Sequence, residues 1–333
     1  MSRGGGVTTV ENGLDVDRLR LVTKVARLYH ARGLRQAEIA QRLRLSQPRV
    51  SRLLAHADSL QIVRSTVAVP AELNRELEQG LRQAYGLQNA HVVDAVAGAE
   101  ELAVDLGRAA APFLAIALAT GDVRTIGFMP WSRTLRHVVE SLRPLPLIAG
   151  CVVEMLGDLG SPALQQDVAH QTQRLATLIG ADTAFLRVPG VVANPAIRAA
   201  LLRADPHARR ILRLLDDLDL ALLSVGPCEV VAPLRAGDNY FTDDQFAQAR
   251  SAGAVGQLCL RFLDADGAWV RTPLDDMVVG VTVDQLRRAR YRWAVAGGAD
   301  KYPVLRAALV GRWINRLVTD TVTASHLLSV APS

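Results

Sequence analysis

The stretch AVAGGADKYPVLRAAL, residues 294–309, joins two kinds of pattern. Before the glycines, RWAVAG (292–297) is a short, largely apolar segment of the kind that forms a buried strand. After them, YPVLRAALVG (302–311) reads as a helix. A strand running through Gly297 and Gly298 into a helix is one β–α unit. The same alternation extends outward across the C-terminal three-quarters of the chain. Strands are predicted at HVVDA (91–95), VRTIGFM (123–129), CVVEML (151–156), TAFLRV (183–188), LALLSVG (220–226), QLCLRFL (257–263), MVVGVT (277–282) and INRLVTD (314–320). Helices are predicted at 100–118, 132–142 and 166–180. Apolar strands linked by helical crossovers give an α/β domain with an open, mostly parallel sheet.

In such sheets ligands bind at the carboxyl ends of the strands, and polar residues gather there. Trp131, Ser132, Arg133 and Thr134 follow the second strand, where a loop feeds a helix. Backbone N–H groups, hydroxyls and the helix dipole make an anion site at such a position. Asp158, Gln165 and Gln166 follow the third strand; Gly297, Gly298 and Lys301 follow RWAVAG; Asp320 ends the last strand. Each alone is weak evidence, because a serine before a helix is usually only a cap. Their convergence at one sheet edge predicts a small-ligand pocket.

The N-terminal segment has a different character. Residues 1–65 hold 12 Lys and Arg against 5 Asp and Glu, so this segment carries more than the whole chain's net charge of +5. In LRQAEIAQRLRLSQPRVSRLLAHA (34–57) the apolar positions Ala37, Ile39, Ala40, Leu43, Leu45, Val50, Leu53 and Leu54 fit two short amphipathic helices around a tight turn. Ser46 can cap the second helix, and Pro48 falls in its first turn. A preceding helix ending near Gly33 completes a helix-turn-helix unit. The outward face of its recognition helix is Gln47, Arg49, Ser51 and Arg52, side chains suited to base edges in the major groove. Arg35, Gln36, Arg42 and Arg44 flank it, the arginines placed for phosphates. Arg44 occupies the turn position that often holds glycine, which costs on the order of 1 kcal/mol if φ is positive there.

No apolar run reaches the ~18 residues of a membrane helix, and no secretory pattern is seen. Cys151, Cys228 and Cys259 have no disulfide or metal spacing and read as reduced thiols of a cytoplasmic protein. The expected domains are 1–65 for DNA binding, 66–90 as a connecting helix and 91–333 for effector binding and oligomerisation.

Taken in order, LYHARGLRQAEIAQRLRLSQPRVSRLLAHA (28–57), GAVGQLCLRFLDADG (253–267), AVAGGADKYPVLRAAL (294–309) and INRLVTDTVTASHLL (314–328) resemble the SorC family of sugar-responsive bacterial transcriptional regulators. The resemblance implies a helix-turn-helix domain joined to an effector domain similar in fold to sugar-phosphate isomerases. It implies operator DNA bound by a dimer or tetramer, and a phosphorylated sugar or related metabolite as effector. It also implies that 131–134 is a phosphate-gripping turn, although the family usually has glycine near Ser132. By the same likeness Lys301 reaches the phosphate. Gln257 stands where relatives often have an acidic residue for sugar hydroxyls. Lysine occurs only twice in this arginine-rich chain, at Lys24 and Lys301. A compact ammonium enters a narrow glycine-lined turn more readily than a planar guanidinium.

The competing expectation is a sugar-phosphate isomerase with an N-terminal extension, using Asp158, Asp266 or Asp320 as base. No histidine lies in a predicted pocket loop, so the regulator reading is preferred, with no catalytic residues, metal or cofactor.

Overall fold

The computed structural model describes residues 9–60, 62, 73–94, 98–119, 123–145, 150–230 and 242–332. The chain divides into two compact units, Met1–Pro70 and Ala71–Ser333.

In the first unit α1 (Thr9–Ala26) continues into a π-helical turn, Arg27–Ala31, followed by α2 (Gln36–Leu43) and α3 (Gln47–Ser59). Val22, Val25, Ile39, Ala40, Val50, Leu53, Leu54 and Ala57 form its buried core. Ala37, expected in that core, is exposed. Arg44 holds the left-handed conformation at the α2–α3 turn, φ 53° and ψ 45°, as its place in the turn requires. Pro48 lies in the first turn of α3, but the Ser46 hydroxyl makes no capping bond. Of residues 60–70, only Leu60 and Ile62 lie within the described residues.

The second unit opens with α4 (Arg75–Tyr85), which ends at Gly86 in the left-handed region. This helix was expected as a connector, yet it packs on the body. Tyr85 Oη donates to the Leu327 carbonyl at 2.6 Å. Asn74 Nδ2 donates to the Val92 carbonyl, and Glu78 Oε1 accepts from the Val92 N–H, each at 3.0 Å. These side chains satisfy backbone groups on an edge strand that would otherwise be open to pairing.

That strand is β1 (Asn89–Val93); β2 (Thr125–Phe128), β3 (Cys151–Glu154), β4 (Asp182–Ala184) and β5 (Leu220–Leu223) follow. A second, antiparallel sheet consists of β6 (Gly226–Pro227), β7 (Ala254–Leu258), β8 (Arg261–Asp264) and β9 (Trp269–Val270). The chain then returns to the main sheet with β10 (Tyr291–Val295) and β11 (Arg316–Asp320). The main sheet has the order β1-β11-β10-β5-β2-β3-β4, and every pairing in it is parallel. The crossover helices include α5 (Ala99–Ala119), α6 (Arg133–Ser141) and α7 (Pro162–Ile179). Two helices absent from the sequence reading, α8 (Pro195–Ala204) and α9 (Pro206–Leu214), precede β5.

Two expected strands differ. QLCLRFL is not one strand but a hairpin, β7 and β8, reversing at Cys259 and Leu260 with φ 52° and 59°. Both arms are largely buried, so the apolar run hides the turn. MVVGVT forms only isolated bridges, Leu156 with Gly280 and Val191 with Val278. α5 has the length and apolar composition of a membrane span. Its Leu106, Ala110, Leu114 and Leu118 are nevertheless buried in the core over the sheet, as in the core helix of a globular domain.

Candidate DNA-binding face and anion site

In the helix-turn-helix unit, burial of Val50, Leu53 and Leu54 turns the opposite side of α3 outward. Gln47, Pro48, Arg49, Ser51 and Arg52 are all exposed, as are Arg35, Arg42 and Arg44; Gln36 is half-buried. Glu38 Oε2 accepts the Arg35 N–H at 2.7 Å and closes the start of α2. Arg52 Nε lies 3.4 Å from the Pro48 carbonyl, a weak tie along the helix. The guanidinium groups of Arg42, Arg44 and Arg49 make no hydrogen bond or ion pair among the described residues. The result is a basic face on a helix held by an apolar core.

In the main sheet, β2, β3 and β4 progress outward on one side and β5, β10 and β11 on the other. The topological switch therefore falls between β2 and β5, where an α/β crevice takes its ligand. The loop after β2 carries Trp131–Thr134, and the loop after β10 carries Gly297–Lys301, one strand away on the far side of β5.

The residues of these loops have unequal access. Trp131 is half-buried against the core. Ser132 caps α6, its Oγ accepting the Leu135 N–H at 3.3 Å. Thr134, expected at the ligand, is buried inward. Arg133 is exposed and pairs with Glu100 on the first turn of α5. Lys301 closes the short turn Ala299–Lys301, with its N–H on the Gly298 carbonyl at 3.0 Å. Its ammonium makes no hydrogen bond or ion pair among the described residues. Burial pushes the Lys301 ammonium below its ordinary value; adjacent Asp300 opposes this, and Arg133 adds to the lowering. The Arg133 charge thus reaches Lys301, and each cation has an acidic neighbour, Glu100 for Arg133 and Asp300 for Lys301.

Asp320 departs from expectation. It is buried as the N-cap of the helix α10 (Thr321–Ser329), and its two oxygens accept from Thr323 N at 2.8 Å and Thr323 Oγ1 at 2.6 Å. Thr323 Oγ1 in turn accepts the Gly298 N–H at 3.0 Å. Asp320 therefore shapes the glycine loop from beneath through Thr323. Gln257 is half-buried opposite Gly226, its Oε1 accepting the Leu260 N–H at 3.0 Å. Asp158 is engaged by Arg187 at 2.8 Å, and Gln165 Nε2 donates to the Gly160 carbonyl at 3.1 Å. Asp158 belongs to the loop after β3 and Gln165 to the first turn of α7, and no bond joins them to Arg133 or Lys301.

Burial also raises the carboxyl of Glu154, against the lowering pull of Arg187, the Leu186 N–H and Thr172. Arg187 bridges Glu154 and Asp158 into one network. That network, Glu100 and Thr323 were not identified in the sequence. The only local signal of Glu100 and Thr323, an acidic residue or a threonine early in a helix, is what ordinary capping also produces.

A cavity of about 530 Å³ beside β4 and α9 is lined by Phe185, Arg187, His207 and Arg210 among others. Another, of about 630 Å³, runs along α4 past Arg75, Glu78 and Arg82. Neither contains the expected effector residues, so the anion corner is defined by its charges and its place in the sheet.

The family model described as "Putative sugar-binding domain" matches residues 69–329. The sorbitol operon regulator of Klebsiella pneumoniae is 32% identical over 321 residues, covering 94% of this chain and 98% of that protein. The deoxyribonucleoside regulator of Bacillus subtilis (strain 168) is 29% identical over 318 residues, covering 95% and 99%. The crystal structure of the full-length Klebsiella pneumoniae regulator superposes with a TM-score of 0.71 at 30% identity, covering 93% of this chain and 98% of that one.

Proposed function

The chain belongs to the SorC family of sugar-binding transcriptional regulators, and on that footing we propose that it binds operator DNA through α3 and is switched by a phosphorylated sugar. The carrying observation is that Arg133, after β2, and Lys301, after β10, stand on either side of β5 at one sheet edge, the Lys301 ammonium without a hydrogen bond or ion pair among the described residues. A phosphate offers acceptor oxygens to both cations at once, and a glycine-lined turn allows its close approach. Gln257 and Trp131 are the nearby groups for the sugar itself, an amide to donate and accept and an indole to stack.

The isomerase reading has less support. Asp158 is held by Arg187, and Asp320 is spent on Thr323. Asp266 lies in the β8–β9 turn of the other sheet. None stands free beside Lys301 as a base must.

One helix-turn-helix reads one half-site, so a two-fold operator requires at least a dimer, with recognition helices roughly 34 Å apart. The effector acts by preferring one arrangement of subunits over another. A thermal-shift screen of phosphorylated sugars against their neutral parents tests the reading. At ~100 times its dissociation constant a ligand adds about 2.7 kcal/mol of stability. The hit is expected to vanish in Lys301→Ala and to alter operator affinity in wild type. A hit that survives Lys301→Ala, or that leaves operator affinity unchanged, refutes it.

A further inference from the structure

Arg133 is the exposed cation of the anion corner, and it is already occupied. Its guanidinium pairs with Glu100, on the first turn of α5. Both side chains are largely exposed, 66% and 72%. An ion pair that open to water contributes little to the fold. The helix dipole accounts for acidic residues at the start of α5, and Glu101 supplies one without touching Arg133. Dipole compensation therefore leaves the Glu100–Arg133 contact itself unexplained.

The surroundings suggest its use. Leu102, one turn into α5, is the nearest side chain to Gly298 after Asp300, so the glycine loop sits against the turn that carries Glu100. The first turns of α5 and α6 and the loop of Lys301 thus meet in one place. With Asp300 and Glu100 set against Lys301 and Arg133, the corner is electrically balanced without a ligand.

We infer that Glu100 is a displaceable counter-ion, whose carboxylate occupies Arg133 until a phosphate group takes its place. This deepens the proposed function and rests on it. The exchange is cheap in one direction, since an exposed carboxylate returns to water. It is favourable in the other, since a phosphate offers Arg133 two acceptor oxygens and reaches Lys301 as well. A neutral sugar offers nothing that displaces Glu100. The residue therefore acts in specificity, admitting dianions and refusing their neutral parents, and binding breaks a tie between α5 and α6.

Isothermal titration of the full chain with inorganic phosphate, at ionic strength held constant with chloride, tests this. Glu100→Gln is expected to tighten phosphate binding by about three- to tenfold, having removed both the competitor and its repulsion. Glu101→Gln changes the same charge one residue away and should have a smaller effect. In an Arg133→Gln background, which weakens binding, Glu100→Gln should bring no comparable gain. If Glu100→Gln fails to tighten binding while Lys301→Ala and Arg133→Gln still weaken it, the anion site stands and the counter-ion role falls. Equal gains from Glu100→Gln and Glu101→Gln would reduce the effect to general electrostatics and also overturn the role. If wild type and every variant fail to bind phosphate, the site reading fails and takes this inference with it.

Discussion

Gly297 lies directly over the carboxylate of Asp320: a Cβ built on Gly297 would fall 2.1 Å from Asp320 Oδ2. Asp320 cannot step aside, because Thr323 holds both its oxygens. Gly297→Ala therefore forces the loop of Lys301 away from the end of β11. Equilibrium urea denaturation should show a loss of about 1–3 kcal/mol, the usual cost of overpacking. Wild-type stability in this variant would mean that the loop has room to shift.

Asp320→Ala removes the cap of α10 and the anchor of Thr323. A loss of about 1–2 kcal/mol is expected. If Asp320 were instead a ligand-contacting group, the variant would lose effector affinity with little loss of stability, and the two measurements separate these roles.

Arg44 is a non-glycine residue at φ 53°. Arg44→Gly should stabilise the helix-turn-helix unit by up to about 1 kcal/mol. The same change removes an exposed cation from the proposed DNA face. Melting temperature should rise while affinity for all DNA sequences falls, and a rise in both would remove Arg44 from the interface.

On α3 the expected pattern is different. Arg49→Ala and Arg52→Ala should each cost ~1–3 kcal/mol of specific binding, with nonspecific binding changed much less. Arg42→Ala should weaken binding to all sequences alike and flatten the salt dependence. Gel-shift titrations of an operator against random DNA, at several salt concentrations, distinguish the two behaviours. Intact operator binding in all three variants would mean that another surface meets the DNA.

His91 is pressed face to face on Phe113, ring centroids 3.4 Å apart. Burial first, and the Arg316 charge second, lower it from 6.5 to about 4. Glu78, with an oxygen 3.9 Å from Nδ1, pulls the other way, but it also serves the Val92 N–H. The unfolded chain takes up a proton near 6.5, whereas the folded chain does so only near 4. Stability is therefore expected to fall as pH drops through that window, by on the order of 2–3 kcal/mol in all. In His91→Gln this part of the pH dependence should flatten; an unchanged profile would assign it to other groups.

Thiol accessibility gives a simple check of the core. Burial pushes the Cys259 thiol up to about 12, and raises Cys228 and Cys151 as well. Only Cys151 is partly accessible. A thiol reagent should label at most Cys151 in the native protein at neutral pH, and all three in denaturant.

Much of this was legible before folding. Periodicity separated a helical N-terminal unit from an α/β body, and the outward face of α3 followed from the need to bury Val50, Leu53 and Leu54. The strained turn at Arg44 was visible from its position alone. Less legible was the hairpin at Cys259 and Leu260, because both arms are apolar and neither turn residue is one that turns favour. The burial of Thr134 and the capping bonds of Asp320 were not legible either, because polar residues at strand ends serve folding as readily as ligands.

The chain's local chemistry thus determined which segments are strands and helices, which face of α3 is basic, and that Lys301 follows a glycine turn. Tertiary structure alone decided that β5 lies between β10 and β2, that Arg133 is paired with Glu100 and its charge reaches Lys301, and that Asp320 is covered by Gly297. The physical reason is range. A side-chain period is set by backbone geometry over a few residues. The meeting of groups 33 positions apart, Glu100 with Arg133, depends on the order in which strands pair, which no local spacing records.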